Sequence, residues 1–356
     1  AALAGTSHRD FLDADASGTV DGLAEDRIGY LRGHSQHEGN TAGTFRQRPT
    51  SVLGDIVNSN PWFVGAPSAG YSDIDHPGYS SFRSAYENRK PVVYVGANDG
   101  MLHGFDASIV WDATVDTDPT VDSDSPPDGI TTNDNNGAYV PTSTSGLEVL
   151  GYVPTPVYQN LSRLTDQNYN ANHRYFVDGA PMVADACVAN CGFASATWKS
   201  VLVGSLNAGG KGYFALNVTN PSGTSSAAAP TFAESNAASI LLWEFTDSDD
   251  ADLGLSYNYP ASHPATQQAK QIVKMENGKW AVVLGNGYYS TAGKAVLYIL
   301  FLADGEDGVW SSGDFVKIVA DSGTANGLST PTPFDSDGNG LVDTIYAGDL
   351  KGNMWK

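Results

Sequence analysis

The 356 residues exceed one average domain but suit a single large all-β unit, and an apolar share of 41% is enough to bury a core. Lys and Arg number 19 against 40 Asp and Glu, a formal charge of -21 that argues against nucleic acid, since phosphate binding needs a basic footprint. Gly 39 and Pro 18 point to many turns, and no apolar run approaches the roughly 18 residues of a membrane helix.

From the N-terminus, the opening AALAGTSHRDFL lacks the basic and apolar regions of a signal peptide, so a secreted protein would be represented here by a mature portion. The loop DADASGTVD at 13–21 places Asp13, Asp15 and Ser17 at positions 1, 3 and 5 of an EF-hand-type loop. Gly18, Thr19 and Asp21 follow at positions 6, 7 and 9. An acidic helix start capped by Asp21 explains the same residues without metal, so this is the weaker metal candidate. LAEDRIGYLRG, 23–33, carries Leu23, Ile28 and Leu31 at helical spacing with Gly33 as its stop. Residues 1–60 therefore read as a lead-in with a short helix, and 61–356 as the main β unit.

Internal repetition organises that unit. PVVYVGANDGMLHGFDA (91–107), SVLVGSLNAGGKGYFALNVT (200–219), KWAVVLGNGYYSTAGKAVLYILFLA (279–303) and DTIYAGDLKGNMWK (343–356) share one grammar. Each is a β-rich run ending in Gly (Gly96, Gly204, Gly285, Gly348), a polar turn needing positive φ, and a returning apolar run. Further strands are expected at 147–154, 240–247 and 314–321, and earlier ones at 180–186 and 271–276. Four short antiparallel strands per unit, radially repeated, make a β-propeller of four-stranded blades rather than a sandwich. Two polar stretches, 112–146 and 221–238, read as surface insertions. The last unit stops at Lys356 inside its second hairpin strand, so the expectation is a propeller incomplete in this chain or completed by another segment.

Cys187 and Cys191 form a lone C-x3-C. It lacks the second ligand pair of a zinc site and is no C-x-x-C redox motif, which leaves a small disulfide closing a loop in an oxidising compartment. TDSDDADLG, 246–254, is acidic but lacks the metal-loop spacing and reads as a solvated connection. The strong metal signal is DSDGNGLVD at 335–343. Asp335, Asp337 and Asn339 hold positions 1, 3 and 5, and Gly340 stands where the chain must turn sharply. Leu341 can offer its carbonyl at position 7 and Asp343 its carboxylate at position 9. Calcium is a hard cation that takes six to eight oxygens, and alternating side chains of a tight loop bring oxygens to one point. Tyr346 stands where an EF-hand has its closing Glu, so Asp343 has to close the shell. No HExxH, GxSxG or P-loop pattern occurs, and the expectation is a protein that is not an enzyme.

These segments, together with YLRG (30–33), SVLGDIVNSNPWFVGAP (51–67) and LLWEFTDSDDADLGLSY (241–257), resemble the PilY/PilC family of type IV pilus biogenesis and tip-adhesin proteins over nearly the whole chain. The resemblance implies a C-terminal propeller with Ca2+ held at the positions matched by Asp335, Asp337, Asn339, Leu341 and Asp343. It implies calcium-regulated pilus extension and retraction, hence twitching motility, attachment and virulence. It also implies a secreted protein at the pilus tip, touching minor pilins and host or abiotic surfaces. The family's YLRGD-like stretch is YLRGH here, with His34 in place of Asp, and its variable N-terminal region is missing. The DGMLHGFDA hairpin is also similar to repeats of quinoprotein dehydrogenases, which are calcium-dependent propellers. Those enzymes stack the quinone on a disulfide between adjacent cysteines, whereas three residues separate Cys187 from Cys191. A propeller that merely uses calcium to stiffen its fold is the remaining alternative.

Overall fold

The computed structural model describes residues 8–41, 43–112, 138–222 and 230–356, so the middles of both expected insertions, 113–137 and 223–229, lie outside the described residues. Among the described residues, three sheets have four strands each in chain order. The first comprises Trp62–Val64, Val92–Gly96, Leu102–Asp106 and Glu148–Tyr152. The second comprises Met182–Ala189, Thr197–Ser205, Gly212–Asn217 and Leu241–Thr246. The third comprises Ile272–Lys274, Trp280–Gly285, Ala295–Phe301 and Phe315–Asp321. A fourth sheet holds Thr332–Phe334, Thr344–Gly348 and Met354–Trp355. Every neighbouring pair is antiparallel. These are the expected blades.

The near-continuous apolar runs of the second and third blades follow from burial on both faces of their middle strands. Side chains alternate across a strand, so Val201 and Val203 of the second blade join one hydrophobic cluster while Leu202 joins another. Tyr213 and Ala215 share a cluster with Val282, Leu284, Val296 and Tyr298 of the third blade. Phe214 and Leu216 instead meet Val92, Tyr94 and Leu102 of the first. A fully buried Phe or Leu of this kind contributes roughly 1.5–3 kcal/mol through area removed from water. The last strands of the first and third blades are the most exposed of their sheets, as outer edges should be, and the strands of the fourth sheet are mostly exposed or half-buried.

The glycines that end the second strands act differently from a turn residue. A Cβ added to Gly204 would lie 2.1 Å from the Phe214 ring, so the position is empty because the cross-strand aromatic fills it. The positive φ angles fall in the turns themselves, at Gly100, Asn207, Gly287 and Gly352. Three buried asparagines at these turns tie blade to blade. The Oδ1 of Asn98 accepts the Phe176 N–H, that of Asn207 the Asn258 N–H, and that of Asn286 the Leu328 N–H, at 3.0, 3.2 and 2.9 Å. Each donor belongs to the segment leading into the next blade.

The lead-in shares its core with the blades. Leu12, Ala24, Tyr30 and Phe45 belong to the cluster of Val92, Tyr94 and Leu161. The expected helix spans Ala24–Leu31 and ends as foreseen, with the Gly33 and His34 N–H groups bonded back to Tyr30 and Gly29 carbonyls. The helix Tyr79–Ala85 and the 3-10 segment Thr155–Thr165 are additions to the sequence reading. The first insertion is better structured at its ends than expected, since Ile109–Asp112 pairs with Ala138–Pro141. No helix among the described residues is long and apolar enough to cross a membrane.

Candidate metal centre

The loop 335–343 joins the first and second strands of the fourth sheet, and positive φ at Gly338 and Gly340 lets it turn twice in a few residues. Asp335 is the anchor. Its Oδ1 accepts the N–H groups of Gly338 and Asn339 at 2.7 and 3.2 Å, and its Oδ2 accepts that of Gly340 at 2.7 Å. Those bonds, the one from Gly340 first, hold its pKa below the usual carboxylate range. Asp343 is likewise lowered, chiefly by the Ser336 hydroxyl, which donates to it at 2.7 Å.

One carboxylate oxygen each from Asp335, Asp337 and Asp343 lie within 4.8 Å of one another. Two oxygens bound to one calcium at about 2.3–2.6 Å can be no more than about 5 Å apart, so the spacing suits one ion. Asn339 sits among them, its Nδ2 donating to Asp337 at 3.2 Å and its Oδ1 accepting the Leu341 N–H at 2.7 Å. The donor set is hard oxygen throughout, without His or Cys, which fits calcium rather than zinc. Tyr346 lies in the following strand, paired with Thr332, and is not part of the group. The loop is also wired to the third blade. The Val342 N–H donates to the Lys274 carbonyl and the Glu276 N–H to the Val342 carbonyl, at 2.9 and 3.2 Å.

The 13–21 loop is arranged otherwise. Asp21 is taken by Arg27, whose Nη1 and Nη2 donate to its two oxygens at 2.7 and 2.6 Å, and Asp21 is not the helix cap, which is Leu23. Asp15 accepts from the Ser17 N–H, the Ser17 hydroxyl and the Thr19 N–H. Among the described residues, the 335–343 trio is the group of three acidic side chains whose spacing suits a metal, and Asp13, Asp15 and Asp21 are not brought together in this way. A partner six positions further along the chain, Arg27, decides this, and loop spacing does not reveal it.

The acidic stretch 246–254 is not simply solvated. Asp250 accepts from Lys317 at 2.7 Å, and the buried Asp252 accepts from Lys294 and Lys317 at 2.9 and 2.7 Å. Third-blade lysines thus pair with two of its four carboxylates. Cys187 and Cys191 are joined as a disulfide where the first strand of the second blade gives way to its second. Metal loop and disulfide both occupy links between first and second strands, and therefore the same end of the blades.

Sequence reasoning missed His103. It is buried between Glu148, 2.6 Å from Nδ1, and Asp99, 3.0 Å from Nε2. Burial opposes its charge, but the hydrogen bonds of Asp99 and then Glu148 outweigh it and raise the pKa to about 9. Asp99 Oδ2 also accepts the Gly54 N–H at 2.7 Å, which fastens the lead-in to the first hairpin. Only the position of His103 beside Asp99 in DGMLH hinted at this.

A family model for the PilY1 β-propeller domain matches residues 53–356. The chain belongs to this family. It is 36% identical over 349 residues to the type IV pilus biogenesis factor PilY1 of Pseudomonas aeruginosa, covering 97% of this chain and 24% of that protein. A PilY1 homolog of Xylella fastidiosa is 36% identical over 334 residues, 93% of this chain and 21% of that one. The chain thus spans about a quarter of the length of these family members. The crystal structure of the P. aeruginosa PilY1 C-terminal domain superposes with a TM-score of 0.50 at 32% identity, over 82% of this chain and 44% of that one.

Proposed function

We propose that this chain is the calcium-binding propeller of a type IV pilus biogenesis factor, without catalytic activity, in which metal occupancy at 335–343 regulates pilus extension and retraction. The convergence of the Asp335, Asp337 and Asp343 carboxylates carries the reading. Asn339 and the Leu341 carbonyl would complete the set. When bound, calcium supplies positive charge to offset three clustered carboxylates. The chain's own residues do the rest. Asp335 holds the loop through three backbone N–H groups, and Val342 ties it to Lys274 and Glu276 of the third blade. A change in loop order would therefore reach two blades and alter the surface offered to a partner.

Relatives named as pilus biogenesis factors support a secreted protein at the cell surface or pilus tip. Minor pilins and host or abiotic surfaces are the partners we infer. Isothermal calorimetry of the wild type and of Asp343→Ala tests the loop. The wild type is expected to bind calcium and the variant to lose binding, and equal binding by both removes the loop from the argument. A twitching assay with a folded loop variant tests regulation, since normal motility would leave calcium as a stiffener only.

A further inference from the structure

A second concave site lies at the opposite end of the blades from the metal loop. Its walls are the third-blade hairpin turn, the link into the fourth sheet and the fourth-sheet turn, and it encloses about 570 Å³. Tyr257 and Tyr288 form one side, their ring centroids 5.5 Å apart and tilted by 44°. Tyr289 and Leu350 stand at the rim, 79% and 57% exposed. No charged side chain lines it among the described residues, although the chain carries a formal charge of -21.

Two further observations mark it as more than a surface dent. Ser290 lines the cavity and is only 8% exposed, yet its hydroxyl has no hydrogen-bond partner among the described residues. A buried hydroxyl left unpaired is costly, and turning the Ser290 side chain toward the cavity would let a ligand group satisfy it. Tyr289 and Ala325 both hold left-handed backbone, φ 61 and 57. A bulky residue there is strained where glycine would be at ease, and such strain collects at ligand sites.

The geometry points to a binding site for a neutral saccharide. A pyranose ring has an apolar face of C–H bonds that rests on the negative face of a tyrosine ring, and its rim of hydroxyls both donates and accepts. The exposed hydroxyls of Thr291 and Thr324 match such a rim, and the unpaired Ser290 hydroxyl would join them once its side chain turns toward the cavity. A proline-rich peptide would also lie on tyrosines, but it offers carbonyl acceptors and no matching donors. An anionic sugar would meet the repulsion of the whole acidic chain.

Saturation-transfer NMR of the full 356-residue chain tests this with maltotriose, cellotriose and N-acetylchitotriose at millimolar concentration, beside sialyllactose and a proline decamer. At least one neutral trisaccharide is expected to bind through its ring protons. Tyr289→Gly suits the left-handed backbone and should preserve folding while weakening binding about tenfold, the upper range for one aromatic contact. Ser290→Ala should weaken it as well, and Glu87→Gln, an exposed change just after the Tyr79–Ala85 helix and outside the cavity lining, should leave it unchanged. The inference is overturned if no neutral sugar binds, if Tyr289→Gly binds equally well, or if the proline decamer binds and no sugar displaces it.

Discussion

Raising the pH should unlock the first blade through His103. In the folded chain its pKa stands at about 9 against an ordinary 6.5. Below about pH 6.5 the imidazole is charged in both folded and unfolded states, and the full stabilisation from Asp99 and Glu148 is present. Between the two values the unfolded chain has lost the proton and the folded one keeps it, so stability falls as pH rises. Above about 9 both are neutral and the contribution is gone. The gap is worth about 3.4 kcal/mol at about 1.36 kcal/mol per pH unit. Glu148 is 48% exposed, so water screens its part, and about 2 kcal/mol is the more realistic expectation. Urea unfolding from about pH 6 to about pH 10 should give a wild-type slope that His103→Gln lacks. Glu148→Gln should retain part of it, because Asp99 still faces Nε2 at 3.0 Å. An NMR titration of the His103 ring should locate the midpoint well above its ordinary value. Equal slopes in wild type and His103→Gln, or a ring titrating near 6.5, would refute the reasoning.

Two other outcomes are open to test. Calcium at about a hundredfold excess over its Kd should stabilise the wild type by about 2.7 kcal/mol, read as a shift of the thermal midpoint. Asp337→Asn should erase that gain, and it is a cleaner variant than one at Asp335, whose oxygens accept three backbone N–H groups. An undiminished calcium shift in Asp337→Asn would exclude Asp337 as a ligand. Reducing the Cys187–Cys191 bond, which closes a loop of sequence separation 4, should lower stability by about 2 kcal/mol. Urea midpoints with and without reductant measure this, and Cys191→Ser should be insensitive to reductant.

Much of the fold was legible because its signals are local. A hairpin announces itself through two apolar runs and the turn residues between them, and the strands at 92–106, 197–217 and 280–301 lie where those signals stand. The outer strands at 148–152, 241–246 and 315–321 were legible for the same reason, although Glu148–Tyr152 follows a long insertion. The 335–343 loop is equally local, since its oxygens come from neighbours in sequence that alternate around a tight turn. The shared face of the metal loop and the disulfide, by contrast, emerges only once strand order is known.

Sequence alone therefore determined the blade grammar, the short helix and the candidate calcium ligands, because each depends on residues a few positions apart. Tertiary structure decided which charges remain free. Arg27 claims Asp21, Lys294 and Lys317 claim Asp252, and Glu148 reaches back 45 positions to His103. It also assembled the tyrosine cavity from 257, 288–293, 324–326 and 350, segments that stacked sheets bring to one place. Desolvation and long-range pairing exist only after the blades pack, and no spacing rule in an unfolded chain encodes them.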